Sequence, residues 1–198
     1  MKKNDDPLEQ LRQLAGTQRK VLITRARPSE PSIGGFVVDV SSELVLLAQY
    51  DGFYLDGFGA FLVRDVLEVR SGEYERQWEK MLAGEGLPTS FDKESLPSVA
   101  DLPSLLTDLQ RRGQNVIVEC EDEDEDLEDF YIGRILEIRE DHILFANFDA
   151  LGQWDAEASE IFFDEITRVQ LETPYGRIFS KYLEGPCPLL GPSGETGS

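Results

Sequence analysis

Residues 35–51 read GFVVDVSSELVLLAQYD, and 98 positions later residues 133–149 read GRILEIREDHILFANFD. Aligned without a gap, Gly35, Leu46, Ala48 and Asp51 fall on Gly133, Leu144, Ala146 and Asp149. Most other positions agree by type: Val37 and Val38 fall on Ile135 and Leu136, Val40 on Ile138, Val45 on Ile143, Gln49 on Asn147 and Tyr50 on Phe148. After short gaps, DVLEV at 65–69 matches EITRV at 165–169, and YERQWEKML at 74–82 matches YGRIFSKYL at 175–183. Self-similarity at a fixed period is the signature of a repeated structural unit, so two copies of one small domain are expected.

Working outward, each copy reads as helix, five strands, helix. Pro7, the leucines at 8, 11 and 14, and Gly16 predict a short N-terminal helix. KVLITRAR at 20–27 predicts a first strand, FVVDV and LVLLAQY a hairpin, and AFLV and VLEVR two further strands, with DGFYLDGFG as a turn-rich connection. Tyr74, Trp78, Met81 and Leu82 share one face of a closing helix. In the second copy, Leu102, Leu105, Leu106 and Leu109 mark the leading helix, and NVIVECE, residues 132–138, 142–148, 158–163 and 165–171 the strands. The expected division is 1–19 lead-in helix, 20–83 first unit, 84–114 linker and helix, 115–184 second unit and 185–198 a mobile Gly/Pro/Ser-rich tail.

The expected class is mainly β with flanking helices (α+β), as two tandem five-stranded barrels, because closing so short a meander removes its exposed edges. Over residues 20–82 and 115–183 the pattern resembles the SH3-like and Sm-like small barrels. It is also similar to a class of uncharacterised bacterial proteins carrying G-[FY]-V-V and L-D-G-[FY] segments, here GFVV at 35–38 and LDGF at 55–58. An Sm resemblance implies RNA as ligand, held by an Asp-x-x-x-Asn segment and an Arg-Gly pair. Val69-Arg70-Ser71-Gly72 approaches the second, but SSELVLL lacks the Asn, and Val169-Gln170-Leu171-Glu172 lacks both Arg and Gly.

Charge argues further against nucleic acid. With 39 acidic and 19 basic residues the net charge is −20, a field that repels a phosphate backbone and favours a basic partner surface. Cys120 and Cys187 stand alone, outside any CxxC or Cys/His cluster, and predict neither a disulfide framework nor a zinc site. No apolar run suits a leader or a membrane span, so a cytoplasmic location is expected.

Catalytic motifs are missing as well. His142 is the only histidine, at a strand start, and no nucleophile elbow, phosphate-cradling GxxxxGK or HExxH occurs. A non-enzymatic chain without cofactor or metal is expected. Two features remain as candidates for binding. The acidic run Glu121, Asp122, Asp124 and Asp126, continued by Glu128 and Asp129, lacks the glycine of a calcium loop, and reads as a solvated loop or a dock for a basic partner. The aromatics Phe53, Tyr54 and Phe58, with Trp154 in the second unit, either plug the barrels or form a protein-binding patch.

The functional expectation is therefore an interaction module that binds a protein partner with a basic surface, with homodimerisation as a further use of the free faces. Two alternatives stand beside it. One is an acidic decoy of a nucleic-acid-binding protein or nuclease toxin, which needs its acids on one face. The other is a small-ligand sensor, which needs an enclosed pocket at the aromatic loops.

Overall fold

The repeated LVLLA run has more apolar residues than a half-buried strand needs, and the computed structural model shows why. It describes residues 6–26, 32–121 and 129–190. The run lies in β3 (Leu44–Asp51), which is covered on both faces. Val45 and Leu47 point into a core with Val21, Ile23, Ile33, Val37 and Phe61, capped by Leu11. Leu44, Leu46, Ala48 and Tyr50 point the other way, into a larger core that continues through both halves of the chain. A strand with two dry faces reads as a continuous apolar run.

Its neighbours in the first half are β1 (Lys20–Arg25), β2 (Ser32–Val40), β4 (Tyr54–Leu62) and β5 (Val66–Arg70). The second half contributes β6 (Val116–Cys120), β7 (Asp129–Ile138), β8 (His142–Asn147), β9 (Ser159–Phe162) and β10 (Arg168–Leu171). All ten form one antiparallel sheet in the order β5-β1-β2-β3-β4-β10-β6-β7-β8-β9. The first five and the last five places carry the same within-half order: fifth strand, first, second, third, fourth.

The two hairpins also share their register. Gly35 lies opposite Gln49 and Gly133 opposite Asn147, and the ladder slips between Val37 and Asp39 in one and between Ile135 and Glu137 in the other. A Cβ on Gly35 would collide with the Ala48 carbonyl, and one on Gly133 with the Ala146 carbonyl. Only a residue without a side chain lets the strands approach so closely.

The mainly β, α+β class expected from the sequence is thus present, but neither half closes on itself by hydrogen bonds among the described residues. The last strand of one half instead finds its partner in the other: Phe61, Ala60, Gly59 and Phe58 of β4 face Arg168, Val169, Gln170 and Leu171 of β10. The joint core matches this continuity, with Phe36, Leu46 and Phe58 from the first half and Ile135, Phe145 and Val169 from the second.

Four helices complete the chain: α1 (Pro7–Leu14), α2 (Glu73–Gly84), α3 (Leu102–Arg112) and α4 (Pro174–Lys181). Each of α1, α3 and α4 has proline in its first turn, where the missing N–H costs nothing. Asp101 caps α3 by accepting the Ser104 N–H at 2.7 Å, and Gly113 ends it in the left-handed conformation at φ 61°. The leucines of α3 fill the joint core.

Two expectations from turn-type residues change. DGFYLDGFG is not a loop: after a tight turn at Gly52 and Phe53 the strand β4 begins at Tyr54. Gly57, at φ 83°, allows the Leu171 carbonyl and the Thr173 N–H to lie where a side chain would stand, so its glycine serves the join between halves. The segment 84–100, linker-like by composition, is packed, with Leu96 and Val99 buried and Leu87 and Phe91 against the same core. Cys187, placed by sequence in the tail, is buried too.

Candidate functional site

Beside the first residues of the aromatic loop lies a groove of about 570 Å³, floored by β1 and β2, walled by α2 and reached from the second half by Arg168. Lys20 opens β1 inside it. Its main chain is fixed at both ends, the N–H donating to Glu79 Oε1 at 2.9 Å and the carbonyl accepting from Ser71 Oγ at 2.9 Å. The residue is only 8% exposed. Its ammonium stands 5.4 Å from the centre of the Trp78 ring, a cation–π distance, and Trp78 in turn stacks on Phe53 at 4.7 Å. Burial pulls the Lys20 pKa below its usual 10.5, against the opposing pull of Glu75.

Gln49 projects from β3 onto the bare backbone of Gly59, where a side chain would overlap it. Its Oε1 accepts from Arg168 Nη2 at 3.1 Å, which turns Nε2 away as a buried donor. Arg168 also approaches Glu119 at 3.5 Å. Burial raises the Glu119 pKa above 4.5 although Arg168 and Gln170 both favour its charged form. Glu75 behaves in the opposite sense: burial opposes its charge, but Arg70 and the Gly72 N–H, donating at 2.9 and 2.6 Å, more than compensate and hold the pKa below 4.5. Its bond to Gly72 also satisfies an N–H at the start of α2.

The sequence-derived candidates are dispersed. Tyr54 is 80% exposed, and Phe53 is partly exposed on its stack with Trp78, which lines the groove; neither Tyr54 nor Phe53 lines it. Phe58 is buried in the joint core, edge-on to Phe91 at 5.5 Å. Trp154 is half-buried in the second half, its Nε1–H donating to the Gly185 carbonyl at 3.2 Å and its ring edge-on to Phe148. Glu121 does not belong to a solvated loop. Its side chain is 3% exposed and pairs with Arg25, whose side chain is 0% exposed, because the chain places the end of β6 against β1. Asp122, Asp124 and Asp126 lie outside the described residues. Among the described residues no three metal-ligating side chains gather, and no helix is long and apolar enough to cross a membrane.

Searches of protein-family models, curated proteins and solved structures each return no match to this chain.

Sequence reasoning passed over Lys20, Gln49 and Arg168, and considered Arg70 only as half of an RNA motif. A signal was present in the mismatch between the repeats. Leu22 pairs with Gly34 and Arg70, and Ile117 with Ile132 and Gln170, so the two triplets occupy equivalent places. Where the second half has Ile132, the first has Gly34.

Proposed function

We propose that the chain is a non-enzymatic interaction module, built from two copies of one small β-rich unit, that binds a protein partner through the aromatic rim of its first half. The observation that carries this reading is the 80% exposure of Tyr54 on β4, with Tyr74 at 76% on α2. Large aromatic side chains held in water on rigid elements are the residues that anchor protein interfaces. The common strand order and register of the halves support duplication of an SH3-like or Sm-like unit. The net charge of −20 favours a partner with a basic surface, through association rate and choice of partner more than contact energy. The decoy alternative loses ground, since Glu121 is consumed by Arg25 and contributes nothing to an acidic face.

The test is affinity capture with the full chain at low and high salt, comparing wild type with Tyr54→Ser and with Tyr182→Ser, an exposed aromatic on the other half. A partner lost in Tyr54→Ser and kept in Tyr182→Ser supports the rim. A partner indifferent to Tyr54 sinks this reading.

A further inference from the structure

The paired hairpins of the two halves share their register, and the groove is one place where their equivalence breaks. In the second half the place of Gly34 is filled by Ile132, which forms a buried cluster with Ile117 and Phe148, closed by Trp154, Phe179 and Leu183, and the cavity left beside Asn115 and Gln170 is smaller, about 320 Å³. In the first half Gly34 stands for Ile132. A Cβ built there would lie 2.8 Å from the Lys20 ammonium, which uses the space the glycine leaves. Lys20 itself stands where the second half has Asn115, one residue before the equivalent valines that face Gly35 and Gly133.

The result is an incomplete polar site. The Lys20 ammonium has no hydrogen bond or ion pair among the described residues, only the Trp78 face. Gln49 is 2% exposed and its Nε2 has no acceptor. A buried donor without an acceptor costs free energy, and the partly desolvated ammonium is offset only by the charge of Glu75, with no direct bond to it. The acidic groups on the groove do not supply the missing acceptor. Glu75 is held by Arg70 and the Gly72 N–H, and Asp51, an exposed residue, also lines the groove. Asp56 also lines the groove and is itself engaged in a contact. Arg70 and Arg168 line the same opening, each paired with a carboxylate, Glu75 and Glu119.

We infer that this groove binds a small oxyanion, a carboxylate or phosphate carried by a small molecule, with the Lys20 ammonium as its donor. The volume of about 570 Å³ suits a metabolite-sized guest. A single anionic group gains the local cations, whereas a polyanion such as nucleic acid would meet the −20 field of the whole chain. The face of Trp78 offers the rest of the guest an apolar surface. This site does not depend on the protein-binding reading, which concerns the exposed rim.

Calorimetric titration of the full chain with inorganic phosphate and with citrate tests it, using Lys20→Met, Gly34→Ile and, as control, Lys93→Met, whose ammonium pairs with Asp39 on another surface. The expected result is saturable 1:1 binding of at least one probe, weakened about tenfold or more by Lys20→Met, the loss of one charge-assisted hydrogen bond, and unchanged by Lys93→Met. Binding of phosphate alone assigns a phosphate guest, and binding of citrate alone a carboxylate. Gly34→Ile copies the second half and is expected to abolish binding; should it fail to fold, Lys20→Met decides. No saturable heat with either probe up to about 10 mM, or equal binding by wild type and Lys20→Met, overturns the inference.

Discussion

Arg25 and Glu121, 96 positions apart, meet as a buried ion pair that joins the first half of the chain to the second: Arg25 Nη1 donates to Oε1 at 3.3 Å, and Nη2 donates to Oε2. The guanidinium lies over the Phe61 ring, 5.1 Å from its centre, while Thr167 Oγ1 donates to the same carboxylate at 2.7 Å. Both partners are out of water, so each depends on the other for its charge.

Removing one member therefore leaves an uncompensated buried charge. Glu121→Gln or Arg25→Met is expected to lower stability by about 3–5 kcal/mol in urea denaturation. The double variant Arg25→Met, Glu121→Met is expected to lose less than the sum of the two single losses. Additive losses would show that the pair contributes no coupling.

The two close-approach glycines give a second expectation. Gly35→Ala and Gly133→Ala each push a methyl into a backbone carbonyl of the neighbouring strand, and each is expected to cost about 1–3 kcal/mol or more in thermal or chemical unfolding. Gly84, the last residue of α2, has open space around it, and Gly84→Ala is expected to be neutral or stabilising by up to about 1 kcal/mol. Equal behaviour of all three would contradict the packing described.

Two glutamates should give stability opposite slopes with pH. Glu119 is pushed above 4.5 by burial, so between 4.5 and that raised value the folded state holds more protons than the unfolded chain, and stability falls as pH rises through the window. Glu75 is held below 4.5, so its contribution is complete above 4.5 and is lost as pH falls through its depressed value. Melting temperatures measured from pH 3 to 7 are expected to show Glu119→Gln gaining on wild type toward neutrality and Glu75→Gln losing ground over the same range.

Lys20 should register at the alkaline end. Its folded pKa lies below 10.5, so as pH rises from that value to 10.5 the unfolded chain holds the extra proton and the fold gains stability. Lys20→Met, freed of the buried ammonium, is expected to be at least as stable as wild type at neutral pH, with the difference shrinking as pH approaches 10.5. A difference independent of pH would mean that the ammonium is well solvated, and a growing one that it is ion-paired.

The strands, their order of appearance and the hairpin register were legible because they depend on neighbours in sequence. Alternation marked β1, a doubly apolar run marked β3, and the glycine before each hairpin recurred at a fixed interval. The first part of β4 was hidden, although its AFLV end was read as a strand, because its Asp and Gly residues are turn formers locally, and only contact with β10 shows that Gly57 accommodates another segment's backbone. Glu121 was misplaced for a related reason. In a run of acids each residue looks solvated, and the one that is buried is picked out by Arg25 from the other half.

The sequence by itself determined the mainly β class, the leucine face of α3 and the repeated hairpin, since each follows from periodicity and local chemistry within about 20 residues. Only the tertiary structure decided that β4 pairs with β10, that the two halves share one sheet and one core, and that Lys20, Gln49 and Arg168 converge on a single groove. Those outcomes rest on which unpaired edge meets which, and on what fills the space left by Gly34, and both are settled by packing between residues distant along the chain.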